Sequence, residues 1–480
     1  MELLHISSNI FVTLIFLQSL TRDPETNANL KGIASASYGD SGTSDLRGGV
    51  SGKTDRLGYY LDGGRFNSNG LRPGNRVTLN HGFGKLTYDL PNKGRLTFAT
   101  DYRDREFNYG YDNAAIMPDT LVPTGSRYAS AYLRFEYPLN DRLNLELFSS
   151  VMRKDIWRKY IMSEAITIVD AKNRTDSEQV SAKLTWGDRR TNLAAGFEYL
   201  HDKISVSEPL LGFSYMNFNR DMNRYGTYVN GSYSIGDLTL LTGVRLDHVG
   251  VNEQVATSYH LGATWQFTEK TLLRAYAVRG YSLPMTNFKD SLQNIFTLQS
   301  GLETSDIPLL WLKGTLFYSY TWNIQSFVVP LDYPMSPIGS AETEEIRRGF
   351  EIEGRTVPFY DFSLRAGYTY SDVRDKKTDV RISYIPISST RIAIHYDNVR
   401  RGFQANIAGL HVNWPSDAGN SVHDRQMQWD LHISQKLPNW VGVEPELFFS
   451  GRNLFNNAQY TDDYRVNAPR WFEGGLRVKF

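Results

Sequence analysis

The 480-residue sequence has no cysteine, and its formal net charge is zero. The absence of cysteine excludes disulfides and thiolate chemistry. Because there is no basic excess to neutralise phosphates, nucleic acid is not an expected partner. The sequence also lacks any run of eighteen apolar residues, which excludes membrane-spanning helices. If the chain crosses a membrane, it must therefore do so with β-strands.

Motifs for catalysis or metal binding are also scarce. The nine histidines are scattered, and no His-Glu-x-x-His or paired-histidine motif occurs. Gly63-Gly64 and Gly82-Phe83-Gly84 lie within expected strands, whereas a phosphate-binding loop joins a strand to a helix. His423-Asp424-Arg425 is expected in a solvated external loop. We therefore predict no catalytic site, no metal site and no cofactor, and we do not expect an enzyme.

Aromatic residues and period-two alternation are abundant. Aromatic side chains make up 13% of the chain, with 29 Tyr and 25 Phe; any all-β protein could share this, and it also fits the aromatic girdles of a membrane barrel. Polar neighbours such as Arg134, Glu136, Arg245 and Glu351 are expected to face a water-filled lumen, which accounts for a mean hydropathy of −0.41. Alternation of this kind predicts strands with one apolar face. The apolar members of the clearest runs are Leu133, Phe135 and Tyr137; Leu143, Leu145 and Leu147; Leu261, Ala263, Trp265 and Phe267; and Leu364, Ala366, Tyr368 and Tyr370.

The connections between these runs alternate between short and long. The short ones lie near residues 54–56, 91–94, 140–142, 187–190, 235–237, 268–270, 305–310, 356–360, 398–402 and 438–443. The longer, polar or Gly/Pro-rich ones cover residues 66–75, 105–126, 155–177, 202–223, 280–294, 323–343 and 415–426. Short periplasmic turns and long external loops are typical of an outer-membrane barrel, whereas a soluble sandwich or propeller has no reason to keep that order. The predicted fold is all-β, a transmembrane antiparallel β-barrel of about 22 strands of the outer-membrane type, formed by residues 29–480 as one domain.

The last strand has an unbroken pattern. Phe472, Gly474, Leu476, Val478 and Phe480 share one face, and mostly charged residues occupy the other. The edge of such a terminal strand is an aggregation liability unless it is paired. Pairing with the first strand would close the barrel and remove that edge.

The segment from Gly451 to Phe480 resembles the closing signature of TonB-dependent outer-membrane receptors. The residues that carry the resemblance are Asn453, Leu454, Phe455, Asn456, Tyr460, Arg470, Gly474, Gly475 and Phe480. Two internal stretches, Gly301-Leu302-Glu303 and Gly367-Tyr368-Thr369-Tyr370-Ser371, are also similar to segments of this family. The resemblance implies a bacterial outer-membrane location with lipid around the apolar face. It also implies that the signature residues close the barrel and are recognised by the barrel-assembly machinery.

The resemblance further implies uptake of a large, scarce nutrient, such as a ferric siderophore, haem or cobalamin, driven through TonB. Family members carry a signal peptide, a TonB box and a plug domain before the barrel. Residues 1–28 form only a short amino-terminal segment without the basic start or small-residue cleavage site of a clear signal peptide. We therefore expect the chain to be the barrel part of a truncated receptor, with TonB a partner of the parent receptor only. Its ligand, a small molecule or metal chelate, is not specified by any motif.

Other functions remain open on the sequence. A passive, porin-like pore is one, since an unplugged barrel of this size would be open and weakly selective. A cell-surface attachment protein formed by the external loops is another, and an enzyme with its site at the barrel rim has the least support. The expected loop segments Asn108–Asn113 and Ser214–Asn223 would either contact a ligand or form passive loop tips.

Overall fold

The computed structural model describes residues 30–71, 75–109, 122–161, 168–188, 190–210, 214–250, 254–283, 292–328, 339–382, 385–415, 426–457, 460–462 and 465–480. The amino-terminal segment 1–28 and His423-Asp424-Arg425 lie outside the described residues. No helix in the described ranges is long and apolar enough to cross a membrane.

Nearly all of the described chain is β-strand, with two single-turn 3-10 helices at Asp40–Gly42 and Pro91–Lys93. The strands are β1 (Lys31–Gly39), β2 (Thr43–Thr54), β3 (Leu57–Ser68), β4 (Val77–Asp89), β5 (Arg95–Tyr109), β6 (Val122–Pro138), β7 (Leu143–Ile161), β8 (Ile168–Gly187), β9 (Thr191–Leu210), β10 (Ser214–Ile235), β11 (Leu238–Val249), β12 (Gln254–Thr268), β13 (Thr271–Ser282), β14 (Gln293–Thr304), β15 (Leu310–Val328), β16 (Gly339–Thr356), β17 (Phe362–Asp375), β18 (Ser388–Asn398), β19 (Phe403–Asn413), β20 (Gln428–Lys436), β21 (Glu444–Arg452), β22 (Tyr460–Asp462), β23 (Arg465–Val466) and β24 (Trp471–Lys479).

Strands β1 to β21 and β24 form one 22-stranded sheet that closes on itself. Each strand pairs antiparallel with its neighbour in the sequence, and β24 pairs with β21 on one side and β1 on the other. The closing register runs from Ile33 opposite Lys479 to Gly39 opposite Glu473. Strands β22 and β23 form a separate two-stranded sheet. The prediction of a closed antiparallel barrel of about 22 strands is confirmed, and closure leaves the sheet no free edge.

The two faces of the barrel wall differ as the alternation predicts. Apolar side chains of the outer face are exposed, for example Leu261 and Leu316, each 62% exposed. The predicted apolar runs all lie on this outer face, because cross-strand pairs put them on one side: Leu133 is opposite Phe98, Leu261 is opposite Ala277 and Leu476 is opposite Leu447. Arg134, Glu136, Arg245 and Glu351 alternate with them and therefore face the lumen.

The short connections are confirmed, and several of the long ones are wrong. Each predicted short connection lies at one end of the barrel, which short turns mark as periplasmic. At the other, external end, strands β7 to β10 continue through most of residues 155–177 and 202–223, and the structure places residues 214–223 in β10 rather than in a loop. Some external connections are themselves short, as between β1 and β2, between β9 and β10 and between β11 and β12. Once a strand rises above the lipid, both of its faces meet water, so apolar alternation stops while the backbone ladder continues.

Ion pairs occupy the outer face on the external extensions. Three of them join β5 to β6 and β7 to β8: Arg127 with Asp104 at 3.3 Å, Arg153 with Asp176 at 2.6 Å and Arg174 with Asp155 at 2.6 Å. We call these pairs the outer collar. On β7 the collar begins directly after the exposed apolar residue Val151, so it marks where the apolar band ends.

Candidate functional site

The lumen wall carries a network of charges in the middle parts of β9 and β10 and near the external end of β11. Arg245 donates from Nη1 to Glu198 at 2.8 Å and from Nη2 to Asp247 at 2.7 Å. Arg224 also approaches Glu198, at 3.5 Å. The side chain of Asp247 has no exposed surface, so its charge depends on Arg245 for compensation. We call Glu198, Arg224, Arg245 and Asp247 the lumen network.

An apolar cluster lies beside the lumen network, nearer the external opening. Met222 of β10, Val249 of β11 and Ala256 of β12 face the lumen and are buried. They are covered by Leu283 and Leu292, with Tyr281 packed against the group, and these three residues come from the tip of the β13–β14 hairpin. The tip therefore lies over the lumen face of the neighbouring strands. We call this group the mouth cluster.

The bend of the hairpin tip has a local cause in β13 and β15. Strand β12 pairs with β13 only as far as Arg279, so Gly280 and the residues after it are released from that neighbour. In β15 the register shifts between Thr321 and Ile324, and Asn323 has a φ of 58°. Asparagine tolerates this left-handed backbone, which is typical of a β-bulge. Its side-chain Nδ2 donates to the Leu292 carbonyl at 3.2 Å, which ties the bulge to the bent tip.

The arrangement supports binding rather than bond-making chemistry. The lumen network presents fixed guanidinium and carboxylate groups, and the mouth cluster places an aromatic ring and apolar side chains next to them. Small-molecule sites in proteins combine these two kinds of surface. No group of three or more His, Asp or Glu side chains in the described part of the chain is placed to hold a metal ion.

The predicted signature residues fall into two groups in the structure. Asn453 and Asn456 form a hydrogen-bonded turn just after β21, at its external end. We call it the asparagine turn. Asn453 is buried, donates from Nδ2 to the Asn457 carbonyl at 2.8 Å and to the Ala468 carbonyl at 3.1 Å, and accepts from the Asn457 amide at 2.8 Å. Asn456 Oδ1 accepts from the Arg470 amide at 2.8 Å. The hydrogen bonds of the asparagine turn join both ends of the connection that leads from β21 to β24.

The other signature residues either flank the asparagine turn or lie on β24. The Leu454 amide donates to the Trp429 carbonyl of β20 at 2.8 Å, Phe455 is 65% exposed, and Tyr460 begins β22. At the seam, the Phe480 amide donates to the Gly32 carbonyl at 3.0 Å, and the Phe480 ring packs on Gly32, where a Cβ would require the ring to move.

Neighbouring glycines of β24 differ in the space around them. A Cβ on Gly475 would lie 2.5 Å from the Ala36 carbonyl oxygen, whereas one on Gly474 would meet nothing nearer than 3.6 Å. Gly475 is therefore required by the close approach of β1 and β24, and Gly474 is not.

Sequence reasoning found part of the site. Arg245 was expected on the lumen face, but its partners Glu198, Arg224 and Asp247 were not identified. Arg245 and Asp247 stand two residues apart, which places opposite charges side by side on one face of a strand, and this spacing was the available signal. Nothing in the sequence indicates the mouth cluster, because it depends on a bend of β13–β14 over β10–β12.

Comparison with known proteins identifies the family. A family model described as "TonB dependent receptor-like, beta-barrel" matches residues 163–454, more than half of the chain. No curated protein sequence matches.

Solved structures share the fold at low identity. They include a ferric citrate transporter, FecA (TM-score 0.78, 13% identity, 96% of this chain and 80% of that one). A copper transporter, OprC, has a TM-score of 0.76 at 14% identity over 96% of this chain and 82% of that one. The FrpB iron transporter from Neisseria meningitidis has a TM-score of 0.75 at 13% identity over 97% of this chain and 82% of that one.

The closed 22-stranded barrel, the period-two division between its faces and the family match over residues 163–454 agree with one another. Members of this family are receptors and transporters of bacterial outer membranes, not enzymes. The chain therefore belongs to the TonB-dependent receptor family, and it forms that family's outer-membrane β-barrel.

Proposed function

We propose that this barrel is the membrane-spanning part of a receptor that takes up a large, scarce nutrient of the siderophore, haem or cobalamin class, with energy supplied through TonB. The observation that carries the proposal is that the lumen network and the mouth cluster lie side by side on the lumen wall. A ligand that enters the lumen from outside passes this part of the wall. Its fixed charges suit the polar groups of a metal chelate, and Tyr281 with its apolar neighbours suits the chelate's organic frame.

The relatives in fold support a metal chelate as the ligand class. The printed descriptions of the similar structures name ferric citrate, copper and iron as cargo of those proteins. Their identity to this chain is 13–14%, so they support the class of ligand and not a particular one.

The uptake proposal is tested in cells that make the protein from its own gene. A strain lacking the gene is compared with one in which it is restored, using a panel of iron-55 chelates, haem and cobalt-57 cobalamin. We expect one ligand class to show saturable uptake that depends on the gene, on TonB and on the proton-motive force. Uptake that depends on the gene but not on TonB or on energy would show a passive pore instead and would overturn the proposal.

A pair of tyrosine variants tests the mouth cluster within the same assay. Tyr281→Ala removes an aromatic ring from the mouth cluster, whereas Tyr225→Ala removes one from the outer face, where Tyr225 is 45% exposed. We expect Tyr281→Ala to raise the ligand concentration for half-maximal uptake by about tenfold, since a well-placed aromatic contact contributes about 1–2 kcal/mol to binding. Equal effects of the two variants would remove the mouth cluster from the binding site.

We also propose that β24 and Phe480 are the end by which the barrel-assembly machinery recognises this chain. The two backbone hydrogen bonds between Phe480 and Gly32, together with the packing of the Phe480 ring on Gly32, make the last residue part of the seam. Deletion of Phe480 should lower the fraction of protein that inserts into outer membranes, measured as the heat-modifiable form on gels of membrane fractions. A Phe480→Tyr variant keeps the ring and should insert normally. Insertion of the shortened chain at the full level would contradict the assignment.

A further inference from the structure

The periplasmic turns of the barrel divide into two groups by the side chains that they expose. Four consecutive turns, from the one between β14 and β15 to the one between β20 and β21, expose large apolar side chains. We call these four turns the apolar rim. Its most exposed residues are Leu309 (65%), Phe359 (67%), Tyr360 (82%), Val399 (82%), Trp440 (77%) and Val441 (90%).

The periplasmic turns between β2 and β13 expose polar and charged side chains at their tips instead. Examples are Asp55-Arg56, Asp141-Arg142 and Glu269-Lys270. We call these turns the charged rim. Because the two rims belong to different sides of one barrel, its periplasmic end is polar on one side and apolar on the other. A contiguous exposed apolar surface marks a place that a membrane or a partner covers.

The turn backbone does not explain the apolar residues. Leu309, Tyr360 and Val441 have φ values of 65°, 49° and 51°, in the left-handed region. In the charged rim, Asp55 (φ 48°) and Asn92 (φ 57°) hold such positions, and these residue types tolerate that backbone. A β-branched residue such as Val441 is an outlier there. These apolar side chains suit neither the turn nor water, so they indicate a contact outside the barrel.

An aromatic row connects the apolar rim to the lipid-facing wall. On the outer face of β17, β18 and β19, the rings of Phe362 and Tyr396 lie 4.6 Å apart, and those of Tyr396 and Phe403 lie 5.9 Å apart. The turn residue Phe359 exchanges two backbone hydrogen bonds with Phe362, at 2.8 and 3.0 Å. The Phe359 ring in turn lies 4.5 Å from that of Tyr360. The apolar surface of the wall therefore continues onto the rim.

The apolar rim stands at the depth of the inner-leaflet headgroups. On β17 the outer-face apolar residues run from Phe362 to Tyr370, a distance of about 27 Å at about 3.4 Å per residue. With a strand tilt of about 40° this run crosses about 21 Å of membrane, close to the apolar height of about 25 Å of such barrels. The turn between β16 and β17 is adjacent to Phe362, so its tip lies just beyond the hydrocarbon, where aromatic residues are favoured.

The charged groups of the apolar rim suit phosphate. Arg400 and Arg401 form the tip of the turn between β18 and β19, and both are exposed. The carboxylates, by contrast, are held by neighbours. Asp361 accepts from Asn398 Nδ2 at 2.8 Å, and Asp306 accepts from two threonine hydroxyls beside the turn between β12 and β13. The planar guanidinium groups can therefore bind the phosphates of lipid headgroups.

We propose that the apolar rim inserts into the inner leaflet and anchors the barrel along one side, whereas the charged rim stays in the periplasmic water. The occupant of this surface is phospholipid. Three observations select it: the surface continues from the lipid-facing wall, it lies at headgroup depth, and it combines aromatic side chains with arginine, the composition of a membrane interface. The barrel is therefore immersed more deeply on the side of β14 to β21 than on the side of β2 to β13.

The proposal is tested by the depth of spin labels on the purified protein in vesicles of phosphatidylethanolamine and phosphatidylglycerol. The chain has no cysteine, so each introduced cysteine carries the only label. Tyr360→Cys and Val441→Cys label the apolar rim, and Asp55→Cys and Asn92→Cys label matched left-handed positions of the charged rim. Collisions of each label with oxygen, which dissolves in lipid, are compared with collisions with a water-soluble nickel chelate on both sides of the membrane.

We expect oxygen to collide with the apolar-rim labels more often than the nickel chelate does, and the opposite order for the charged-rim labels. The apolar-rim labels should lie about 5–10 Å deeper, the depth to which apolar interfacial segments enter a bilayer. Heat-modifiable mobility on gels verifies that each labelled variant is a folded barrel. Equal nickel accessibility at the four positions would overturn the proposal.

The same labels in outer membranes isolated from cells distinguish lipid from a protein partner. Apolar-rim labels that are exposed to nickel in vesicles and protected only in the isolated membranes would assign the surface to a protein and overturn the lipid assignment. Protection in both preparations is the expected result.

A further pair of variants tests whether the apolar rim acts as one anchor. The label on Val399→Cys should move toward water when Phe359→Ser and Tyr360→Asn are introduced in the neighbouring turn. The same label should keep its depth when Asn92→Ser and Lys93→Asn are introduced in the charged rim. An unchanged depth in the first case would show that the turns do not act together and would contradict the proposed anchor.

Discussion

The outer face and the lumen face of the barrel wall are built from the same strands but follow opposite rules. On the outer face, charged side chains are concentrated at the external ends, in the outer collar and around Asp372 of β17, which Arg348, Arg374 and Arg381 contact. On the lumen face, charges occur along the strands, as in the pairs of Lys183 with Glu146 at 2.9 Å and Arg477 with Glu446 at 2.7 Å. The difference shows that the surrounding solvent, and not the strand itself, decides where charge is tolerated.

The contrast is sharpest between neighbouring residues of β24. Leu476 is 40% exposed on the outer face, where it faces hydrocarbon. Arg477 points into the lumen, bonds to Glu446 and lies 5.3 Å from the centre of the Phe448 ring. Two positions joined by one peptide bond thus occupy different solvents. Substitutions on the two faces test this division. Free energies of unfolding are measured by urea titration in lipid vesicles, followed by tryptophan fluorescence.

The largest effect is expected in the lumen network, where the lumen face comes nearest to a protein interior. Arg245→Met should destabilise the barrel by about 3–5 kcal/mol, because it leaves the buried Asp247 and the half-buried Glu198 without their main partner. The double variant Arg245→Met with Asp247→Asn should recover part of the loss. A cost below about 1 kcal/mol, the range of exposed pairs, would show that water reaches Asp247 freely.

A charge placed in the apolar band should have the next largest effect. Leu476→Arg should cost about 2–4 kcal/mol if the side chain lies at mid-bilayer, whereas Arg477→Leu should cost about 1 kcal/mol or less, since Glu446 keeps access to the lumen water. The two residues are adjacent in the sequence, but Leu476 faces lipid and Arg477 faces the lumen. Equal costs would contradict the assignment of outer and lumen faces.

At the seam, the variants Gly474→Ala and Gly475→Ala should differ by a smaller free energy of unfolding, because the two glycines have different space around them. Gly475→Ala places a Cβ 2.5 Å from the Ala36 carbonyl and should cost about 1–3 kcal/mol through displacement of β1. Gly474→Ala meets only ordinary contacts on the outer face and should be neutral or slightly stabilising. A more harmful effect of Gly474→Ala would contradict the close approach of β1 and β24 at Gly475.

The smallest effect is expected for the outer collar. Arg153→Gln breaks an ion pair with Asp176 in which the Arg153 side chain is 59% exposed, and such pairs contribute about 0–1 kcal/mol. The residual effect should disappear in 0.5 M salt, because exposed charges are screened. A cost that is larger than 1 kcal/mol and insensitive to salt would place the collar inside the apolar band rather than above it.

The sequence predicted the strands well wherever a strand separates lipid from water. Runs such as Leu261 to Phe267 and Leu364 to Tyr370 alternate because their two faces meet different solvents, and the short periplasmic turns between runs are marked by Asp, Asn and Gly. The family that the resemblance at Asn453 to Phe480 pointed to is confirmed by the family match over residues 163–454. Close packing restricts which residues fit at the seam, and the hydrogen bonds of the asparagine turn restrict which residues fit at Asn453.

Sequence reasoning failed above the lipid. Residues 155–161 and 214–223 are strands, yet polar and apolar residues are mixed in them without a regular alternation of faces, so their periodicity did not separate them from loops. Their backbone hydrogen bonds to neighbouring strands hold them extended. Such pairing is a property of two segments together, and one segment read alone does not show it.

The fold class, the approximate strand number, the two faces and the family could be predicted, because all four depend on local alternation and short motifs. Which charges meet could not be predicted, because that depends on how distant strands pair. Glu198, Arg224 and Arg245 come from three strands, and the mouth cluster comes from four strands and the connection between β13 and β14. The three arginines around Asp372 come from β16, β17 and the segment after it. Their proximity follows from the register in which strands pair and from one bend in a hairpin. Turn geometry and the apolar pattern set the register of each pair of strands, and closure of the whole barrel adds a long-range condition that local sequence does not contain.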